Sequence, residues 1–329
     1  MSQRRSELSP RVLVTGSAGQ IGAELVPLLR SLYGKDSVVA AIHRSAGGPS
    51  LKGGPLVTLD TGEKAAVVAV LKEHSIDTIY HLAAVLSATG EKDPQLAWTV
   101  NMDGLTNVLE AARTNGVSRV FWPSSIGAFG PDAPRTNARQ NVPLNPTTMY
   151  GVTKVAGELL CNYYHERYGL DVRCLRYPGL ISNVTPPGGG TTDYAVEIFY
   201  EAIRKGSYSC FLREDTVLPM MYMPDALKAT VQLMEAPASR VPRHLGYNLA
   251  AFSFSAAELA SKIAERVPGF RVAYAPDSRQ KIADSWPQSI DDSEARRDWG
   301  WAPDYDLAGM VTDMLAKLEP RLRAEGKGV

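Results

Sequence analysis

A tyrosine and a lysine stand four residues apart, at Tyr150 and Lys154, near the start of a segment with helical character. Residues at this spacing share one face of a helix, so the phenol and the ammonium are expected side by side. A free tyrosine has a pKa of about 10 and is a poor base at neutral pH, but a neighbouring ammonium lowers that pKa. The pair therefore indicates a base for an alcohol that loses a proton as it loses a hydride. The alternative is a tyrosine and a lysine that share a solvated helix face.

A serine hydroxyl, that of Ser125, is the third candidate for chemistry. It follows Pro123 and Ser124 at the end of an apolar strand predicted over 119–122. Ligands of α/β sheets bind beyond the carboxyl ends of the strands, where a hydroxyl can hold a substrate oxygen. The alternative is an ordinary loop or capping hydroxyl. Together with the tyrosine and the lysine, Ser125 indicates oxidation of an alcohol.

A glycine turn joins the first predicted strand, 12–14, to the first predicted helix. Its glycines are Gly16, Gly19 and Gly22. The first permits a tight reversal, the second lets backbone N–H groups approach an anion, and the third lets the helix pack closely on the strand. The helix N-terminus adds unpaired N–H groups and about half a positive charge. The turn predicts a nucleotide site, with a plain tight turn as the alternative.

The elements that must position these residues alternate between short apolar strands and helices. Six strands are predicted, at 12–14, 37–42, 56–59, 78–82, 119–122 and 172–177. The alternation predicts an α/β fold with a doubly wound parallel sheet. We expect one domain over 10–178, with 218–249 returning to it. A smaller substrate-binding part is expected over 179–217 and 250–320, and a flexible tail over 1–9.

The composition argues against several classes of partner. Basic and acidic residues number 35 each, so the formal net charge is zero, which argues against nucleic acid or an anionic membrane surface as main partner. No apolar run is long enough to cross a bilayer. The three cysteines are scattered, which indicates a reducing compartment and a cytoplasmic protein. The five histidines are scattered too, so no metal site is expected.

The chain resembles the extended short-chain dehydrogenase/reductases over nearly its whole length. The resemblance rests on GSAGQIG (16–22), HLAA (81–84), Asn101, Ser125 and YGVTK (150–154). It implies a Rossmann-type fold, an NAD cofactor, and a homodimer formed through the helices predicted at 94–115 and 147–168. The cofactor-binding residues that it implies are Gly16, Gly19, Gln20, Ile21, Gly22, Arg44, Asp60, Leu82, Ala83, Ala84, Asn101, Tyr150, Lys154, Tyr177 and Leu180.

The resemblance also assigns roles to single residues. It makes Tyr150 the base, Lys154 a ligand of the nicotinamide ribose as well as the group that lowers the tyrosine pKa, and Ser125 the holder of the substrate hydroxyl. Asn101 would support the lysine, whereas from the residues alone it could be a simple helix-face amide. Tyr177 and Leu180 would border the nicotinamide.

Longer stretches resemble the short-chain type of L-threonine 3-dehydrogenase. Among them are LSATGEKDP (86–94), PTTMYGVTKVAGELL (146–160), PPGGGTTDYAVEIFYEA (186–202) and DSWPQSIDDSEARRDWGW (284–301). This resemblance implies metal-free oxidation of the C3 hydroxyl of L-threonine to 2-amino-3-oxobutanoate, with hydride transfer to NAD. The substrate-binding residues that it implies are Ser87, Ser125, Tyr150, Thr191 and Asp193, with Asp193 accepting the ammonium. From the residues alone, Thr191 or Thr192 could equally be a helix N-cap and Asp193 a first-turn acid.

Two other functions compete with this hypothesis. A nucleotide-sugar epimerase or dehydratase could use the same scaffold, but it must hold a diphosphate, and residues 178–208 contain only two basic residues, Arg204 and Lys205. A non-catalytic dinucleotide-binding regulator would not need the tyrosine, lysine and serine. We therefore expect a threonine dehydrogenase.

The choice of cofactor is the weakest point of the resemblance. NAD sites usually carry an acid at the end of the second strand, which accepts from the adenosine ribose. Here that strand ends with Ile42, His43 and Arg44, and the arginine could hold a 2′-phosphate. We still expect NAD, because the resemblance on the substrate side is long.

Overall fold

The computed structural model describes residues 9–44, 47–186 and 188–324; residues 1–8 of the predicted tail lie outside the described residues. The strands are Val12–Thr15 (β1), Val38–Ile42 (β2), Leu56–Thr58 (β3), Thr78–His81 (β4), Arg119–Ser125 (β5), Asp171–Tyr177 (β6), Gly179–Ile181 (β7), Ser207–Cys210 (β8), Val217–Tyr222 (β9), Tyr247–Asn248 (β10), Phe252–Ser255 (β11) and Arg271–Tyr274 (β12). The α-helices are Gly22–Tyr33 (α1), Lys64–Glu73 (α2), Ser87–Gly90 (α3), Pro94–Trp98 (α4), Gly104–Thr114 (α5), Met149–Tyr168 (α6), Tyr194–Lys205 (α7), Met223–Glu235 (α8), Ala256–Ala264 (α9), Arg279–Asp284 (α10), Ser293–Trp299 (α11) and Leu307–Ala324 (α12).

Seven strands form the central sheet, in the order β10-β6-β5-β4-β1-β2-β3. Every neighbouring pair in this sheet is parallel. The strand order reverses between β1 and β4, which is where a doubly wound sheet opens a crevice for ligands. The predicted α/β fold with a Rossmann-type parallel sheet is confirmed. The seventh strand, β10, comes from the 218–249 stretch and pairs with β6 at the edge.

The sheet is buried on both faces, which explains why its strands are apolar throughout. Alternate residues of one strand face opposite layers. Leu13 packs into a core shared with α2, α5 and α6, whereas Val12 and Val14 pack into a core shared with α1, α8 and α11. This sandwich fixes the carboxyl ends of β1, β4, β5 and β6 along one edge.

The helix expected over 94–115 is divided by a π-helical turn at Thr99–Asp103. Its beginning is as predicted, since the Asp93 carboxylate accepts from the Leu96 N–H at 3.0 Å. Within the turn, the N–H of Gly104 bonds to the Thr99 carbonyl, five residues back. Such wide turns often occur at functional positions, and this one contains Asn101.

Helix α2 starts at Lys64, and not at Asp60 as a capping residue there would suggest. The Asp60 carboxylate accepts from the Gly62 N–H at 2.8 Å, which closes a tight turn rather than a helix. The helix therefore begins one turn later, and Asp60 lies at the end of the β3 connection.

A second, smaller core is formed mainly by residues that follow β6. It contains a three-stranded sheet, β11-β9-β7, and a parallel pair of strands, β12-β8. Helices α7, α9 and α12 pack around these strands. Among the helices of the described ranges, none combines the length and the apolar content that a membrane span requires.

Candidate active site

A cavity of about 220 Å³ opens between the carboxyl edge of the central sheet and the smaller core. Most of the predicted site residues line it: Gly16, Gly19, Gln20, Ile21, Gly22, Leu82, Ala84, Ser87, Ser125, Tyr150, Lys154, Tyr177, Leu180, Thr191 and Asp193. Four predicted residues, Arg44, Asp60, Ala83 and Asn101, do not line it. The structure therefore brings the glycine turn, the Ser125–Tyr150–Lys154 group and the predicted substrate residues to one place.

The glycine turn has the shape that a phosphate requires. Gly16 has a positive φ of 67°, and a Cβ on it would lie 2.7 Å from the backbone nitrogen of Ala83. A Cβ on Gly22 would lie 2.5 Å from the carbonyl oxygen of Gly16. Ala83 thus stands behind the turn rather than in the cavity. Helix α1 begins without a side-chain cap, although the N–H groups of Ala23 and Glu24 bond to the carbonyls of Gly19 and Ile21. The start of the helix is therefore open to an anion on its side-chain side.

Tyr150 lies near the start of α6, where the Thr148 hydroxyl accepts from the Gly151 N–H at 3.1 Å and fixes the first turn. The phenol ring packs against Gly127, on which a Cβ would lie 2.9 Å from the ring. The Ser125 hydroxyl lies beside the Tyr150 phenol and accepts from the Gly127 N–H at 3.1 Å. Burial raises the pKa of Tyr150, and the neighbouring Ser125 hydroxyl opposes that rise.

Lys154 lies one turn further along α6 and is 3 % exposed. Its Nζ donates to the carbonyl oxygen of Pro123 at 2.6 Å and lies 4.4 Å from the centre of the Trp122 ring. The distance from Nζ to the centre of the Tyr150 ring is 5.4 Å. Burial lowers the pKa of Lys154 to about 8. The lowering of the Tyr150 pKa by this ammonium stays a prediction.

Two polar side chains lie behind the lysine. The Asn101 amide accepts from the Val85 N–H at 2.7 Å and donates to the hydroxyl of Thr153, the neighbour of Lys154, at 3.1 Å. It therefore ties α6 to the chain that leaves β4. Burial lowers the pKa of His81 to about 3, so this imidazole is neutral, and its Nδ1 lies 2.7 Å from the Thr15 hydroxyl.

Three predicted substrate residues, Ser87, Thr191 and Asp193, also line the cavity. The hydroxyls of Ser87 and Thr191 are 3.2 Å apart and buried. Asp193 precedes α7, but its side chain does not cap that helix. Its carboxylate instead accepts from the N–H groups of Gly189 and Gly190, each at 2.7 Å. Burial raises the pKa of Asp193. No salt bridge in the described ranges joins this carboxylate to a side-chain cation.

The predicted adenosine end lies outside this cavity. The Asp60 carboxylate lies 3.3 Å from Nε2 of His43, and both side chains are about half exposed. Arg44 follows on the exposed surface at the end of β2. The roles of Asp60 and Arg44 toward the cofactor stay predictions.

Several lining residues were not predicted from the sequence. Ser124, Ile126, Leu86 and Trp286 contribute to the cavity wall. Ser124 could have been inferred from its place beside Ser125, but Trp286 comes from the C-terminal part and has no local signal. Across the described ranges, no group of three or more His, Cys, Asp or Glu side chains forms a metal site.

Comparisons with known proteins agree with this architecture. The model of the NAD dependent epimerase/dehydratase family matches residues 12–250. An uncharacterized epimerase/dehydratase of Staphylococcus haemolyticus is 50% identical over 313 residues, which cover 94% of this chain and 98% of that protein.

Two solved structures extend the comparison. The holo form of a GalE-like L-threonine dehydrogenase from Cupriavidus necator is 52% identical, with a TM-score of 0.91 and coverage of 94% of this chain and 100% of that one. The apo form of a monomeric L-threonine 3-dehydrogenase from a metagenome is 47% identical, with a TM-score of 0.91 and coverage of 94% and 99%. By the family model and by these identities, the chain belongs to the NAD dependent epimerase/dehydratase family.

Proposed function

We propose that this protein is an NAD-dependent L-threonine 3-dehydrogenase, which oxidises the C3 hydroxyl of L-threonine to 2-amino-3-oxobutanoate. The observation that carries the proposal is that the cavity lining combines a group able to act as a base with a buried acid. The cavity lining includes Tyr150, with Ser125 beside it, and the buried carboxylate of Asp193. The similarity to structures named as L-threonine dehydrogenases, at 47% and 52% identity, supports the same substrate.

The substrate is a small zwitterion, and Ser87, Thr191 and Asp193 match its two charged groups. The carboxylate of Asp193 pairs with the substrate ammonium, which adds a positive charge beside this buried acid to the charge of Arg279. The hydroxyls of Ser87 and Thr191 donate to the substrate carboxylate. The amides of Gly189 and Gly190 already bond to Asp193, so the hydroxyls are the better donors.

Ser125, Tyr150 and Lys154 act together to remove the proton. Ser125 holds the C3 hydroxyl, and the phenolate of Tyr150 accepts its proton as the C3 hydride leaves. The ammonium of Lys154 stabilises the phenolate, because an opposite charge nearby favours the ionised form. Lys154 is buried, Ser125 and Tyr150 are half-buried, and all three lie on regular elements, so little reorganisation accompanies the reaction.

NAD fits the glycine turn, since the space in front of Gly16, Gly19 and Gly22 admits a pyrophosphate at the start of α1. When bound, the nicotinamide supplies the hydride acceptor. Gln20, Ile21, Tyr177 and Leu180 would line its path. Arg44 and Asp60 would contact the adenosine, and Asn101 and Ala83 would support the site from behind.

Further features of the molecule support four finer proposals. Two copies pair through α4, α5 and α6, whose outer faces expose Trp98, Leu159 and Tyr163. The protein is cytoplasmic, in keeping with three cysteines that are buried and free. The reaction needs no metal, because base, hydroxyl and ammonium suffice. Residues 10–178 with 218–249 hold the cofactor, and 179–217 with 250–320 complete the substrate site.

The test of the main proposal is direct. Purified protein is mixed with L-threonine and NAD, with chelator present, and the absorbance of NADH is followed. Formation of NADH with L-threonine, and none with a UDP-sugar, is expected. Absence of signal at high enzyme and saturating substrate would refute the proposal. Light scattering of the same preparation gives the mass, and a monomer would refute the dimer, as the monomeric relative shows is possible in this group.

A further inference from the structure

A buried ion pair lies directly behind the floor of the cavity. Glu158 and Arg176 are 1 % and 2 % exposed. Nε and Nη2 of Arg176 donate to the two oxygens of the Glu158 carboxylate, at 2.8 and 2.7 Å. Such a bidentate pair has a fixed geometry, and two charges are rarely buried without a specific arrangement around them.

The pair holds a residue of the cavity wall. The hydroxyl of Ser124 donates to Oε1 of Glu158. Ser124 lines the cavity, and in the sheet it is the register partner of Arg176 across β5 and β6. Its neighbours in the chain are Pro123, whose carbonyl accepts from Lys154, and Ser125. The end of β5 is therefore held from behind by Glu158.

Glu158 also lies one helical turn beyond Lys154, on the same face of α6. Burial lowers the pKa of Lys154, and the thiols of Cys161 and Cys174, followed by the charge of Glu158, work in the opposite direction. The other titratable groups that face the lysine are Tyr150 and Cys161 on α6, Cys174 on β6 and His81 on β4. Of these groups, Glu158 is the only ordinary acid within the described residues.

The network continues to β10, the edge strand of the central sheet. Nη1 of Arg176 donates to the carbonyl of Gln140 at 3.1 Å and to the amide oxygen of Asn248 at 3.2 Å. Asn248 in turn donates to the carbonyl of Asp291 at 3.1 Å. Gly246 leaves room for the pair, since a Cβ there would lie 2.6 Å from Oε1 of Glu158. The arginine is thus fixed independently of the cavity.

We propose that Glu158 is a positioning residue for the dehydrogenase reaction: clamped by Arg176, it fixes Ser124 at the end of β5 and supplies the buried negative charge that keeps Lys154 protonated. The inference rests on the proposed function for its effect on turnover. Its effect on the lysine is independent of the substrate.

The test compares three variants by two measurements. The titration of Lys154 is followed by nuclear magnetic resonance on protein with isotopically labelled lysine, and Lys154→Met identifies the signal. The pH dependence of kcat with L-threonine and NAD is measured in parallel. The variants are Glu158→Gln, Ser124→Ala and, as a matched control, Asp171→Asn. Asp171 also receives a bidentate arginine, Arg173, at 2.9 and 2.8 Å, but at the opposite end of β6.

Glu158→Gln is expected to lower the Lys154 pKa by about one unit, because it removes a nearby opposite charge. The alkaline limb of kcat moves to lower pH with it, and kcat falls by up to about 100-fold because the wall is displaced. Ser124→Ala lowers kcat without moving the titration, since every charge remains. Asp171→Asn lowers thermal stability and leaves both pH curves in place.

An unchanged Lys154 titration in Glu158→Gln would overturn the proposal, as would an equal shift in Asp171→Asn. If the wild-type protein fails to oxidise L-threonine while the titration shifts as expected, the proposed function is wrong and the charge role of Glu158 stands. If the protein oxidises L-threonine and the titration does not move, the proposed function stands and the charge role of Glu158 is wrong.

Discussion

The ammonium of Lys154 lies 2.6 Å from the carbonyl oxygen of Pro123 and 5.4 Å from the centre of the Tyr150 ring. The cation therefore donates to the end of β5 and also lies near the ring of the phenol that the sequence places beside it. Because the lysine is buried, this position is costly to the fold and useful to the proposed chemistry.

Lys154→Met is expected to raise the free energy of unfolding at neutral pH by up to about 3 kcal/mol while lowering kcat by about 100-fold or more. The folded-state pKa of about 8 lies below the unfolded value, so the charged lysine destabilises the fold at lower pH. This cost fades as pH rises from about 8 to about 10.5. Urea unfolding at both ends of that window measures it, and a variant less stable than wild type at neutral pH would contradict the expectation.

Tyr150→Phe is expected to fold normally, to bind NAD and to lose activity by about 1000-fold, because only the phenolic oxygen, which accepts the proton as the phenolate, is removed. The ring keeps its place against Gly127. Steady-state rates with L-threonine and calorimetric titration with NAD measure the two effects. Retention of more than a tenth of the wild-type kcat would remove this phenol from its role.

Asp193→Asn is expected to lower kcat/KM for L-threonine by about 10- to 100-fold, because the substrate ammonium loses a charged partner. The remaining amide oxygen still accepts from Gly189 and Gly190, so the loop is kept. For 3-hydroxybutanoate, which has no ammonium, kcat/KM is expected not to fall. An equal loss for both substrates would mean that Asp193 serves only the loop.

The choice between NAD and NADP is expected to respond to the end of β2. Ile42→Asp provides the acceptor that the ribose 2′-hydroxyl lacks, so the ratio of kcat/KM for NAD over NADP rises by about tenfold. Arg44→Ala lowers kcat/KM for NADP and leaves the value for NAD in place. Initial rates with both cofactors test these changes. If the wild-type protein prefers NADP, Arg44 determines the choice of cofactor, and the expectation of NAD from the family resemblance is wrong.

His81 is expected to make the protein sensitive to acid. Its folded-state pKa of about 3 lies below the unfolded value of about 6.5, so the unfolded chain takes up the proton first as pH falls. Stability is lost from about pH 6.5 downward until about pH 3. In His81→Asn the curve of unfolding free energy against pH becomes shallower in that window; an unchanged slope would show that other groups cause the loss.

The sequence predicts the sheet well because its strands are short, apolar and buried on both faces. The glycine turn, Ser125 and Tyr150 are equally predictable from the sequence, since each follows a strand or opens a helix. The structure adds what depends on strand register. Ser124, Glu158 and Arg176 meet only because β5 and β6 pair in one particular alignment beneath α6. Trp286 reaches the cavity from the distant C-terminal part, which no local pattern reveals.

Side-chain partners were the other limit of prediction. Asp193 has the sequence context of a first-turn acid, yet its carboxylate turns back to the preceding glycines. Asp60 has the context of a helix start, yet it closes a turn with Gly62. Acidic side chains near a helix start can bond in either direction, and the surrounding loop decides between them.

The wide turn at Thr99–Asp103 gives the chain one residue more than a regular helix would need there. This additional residue sets the rotational position of the following helical residues about the helix axis. Removing one residue would let α4 and α5 merge into a continuous α-helix and would rotate Asn101 by about 100° relative to the later turns. The amide would then leave both Val85 and Thr153, although no side chain had been replaced. At this point the length of the chain, and not only its composition, is part of the site.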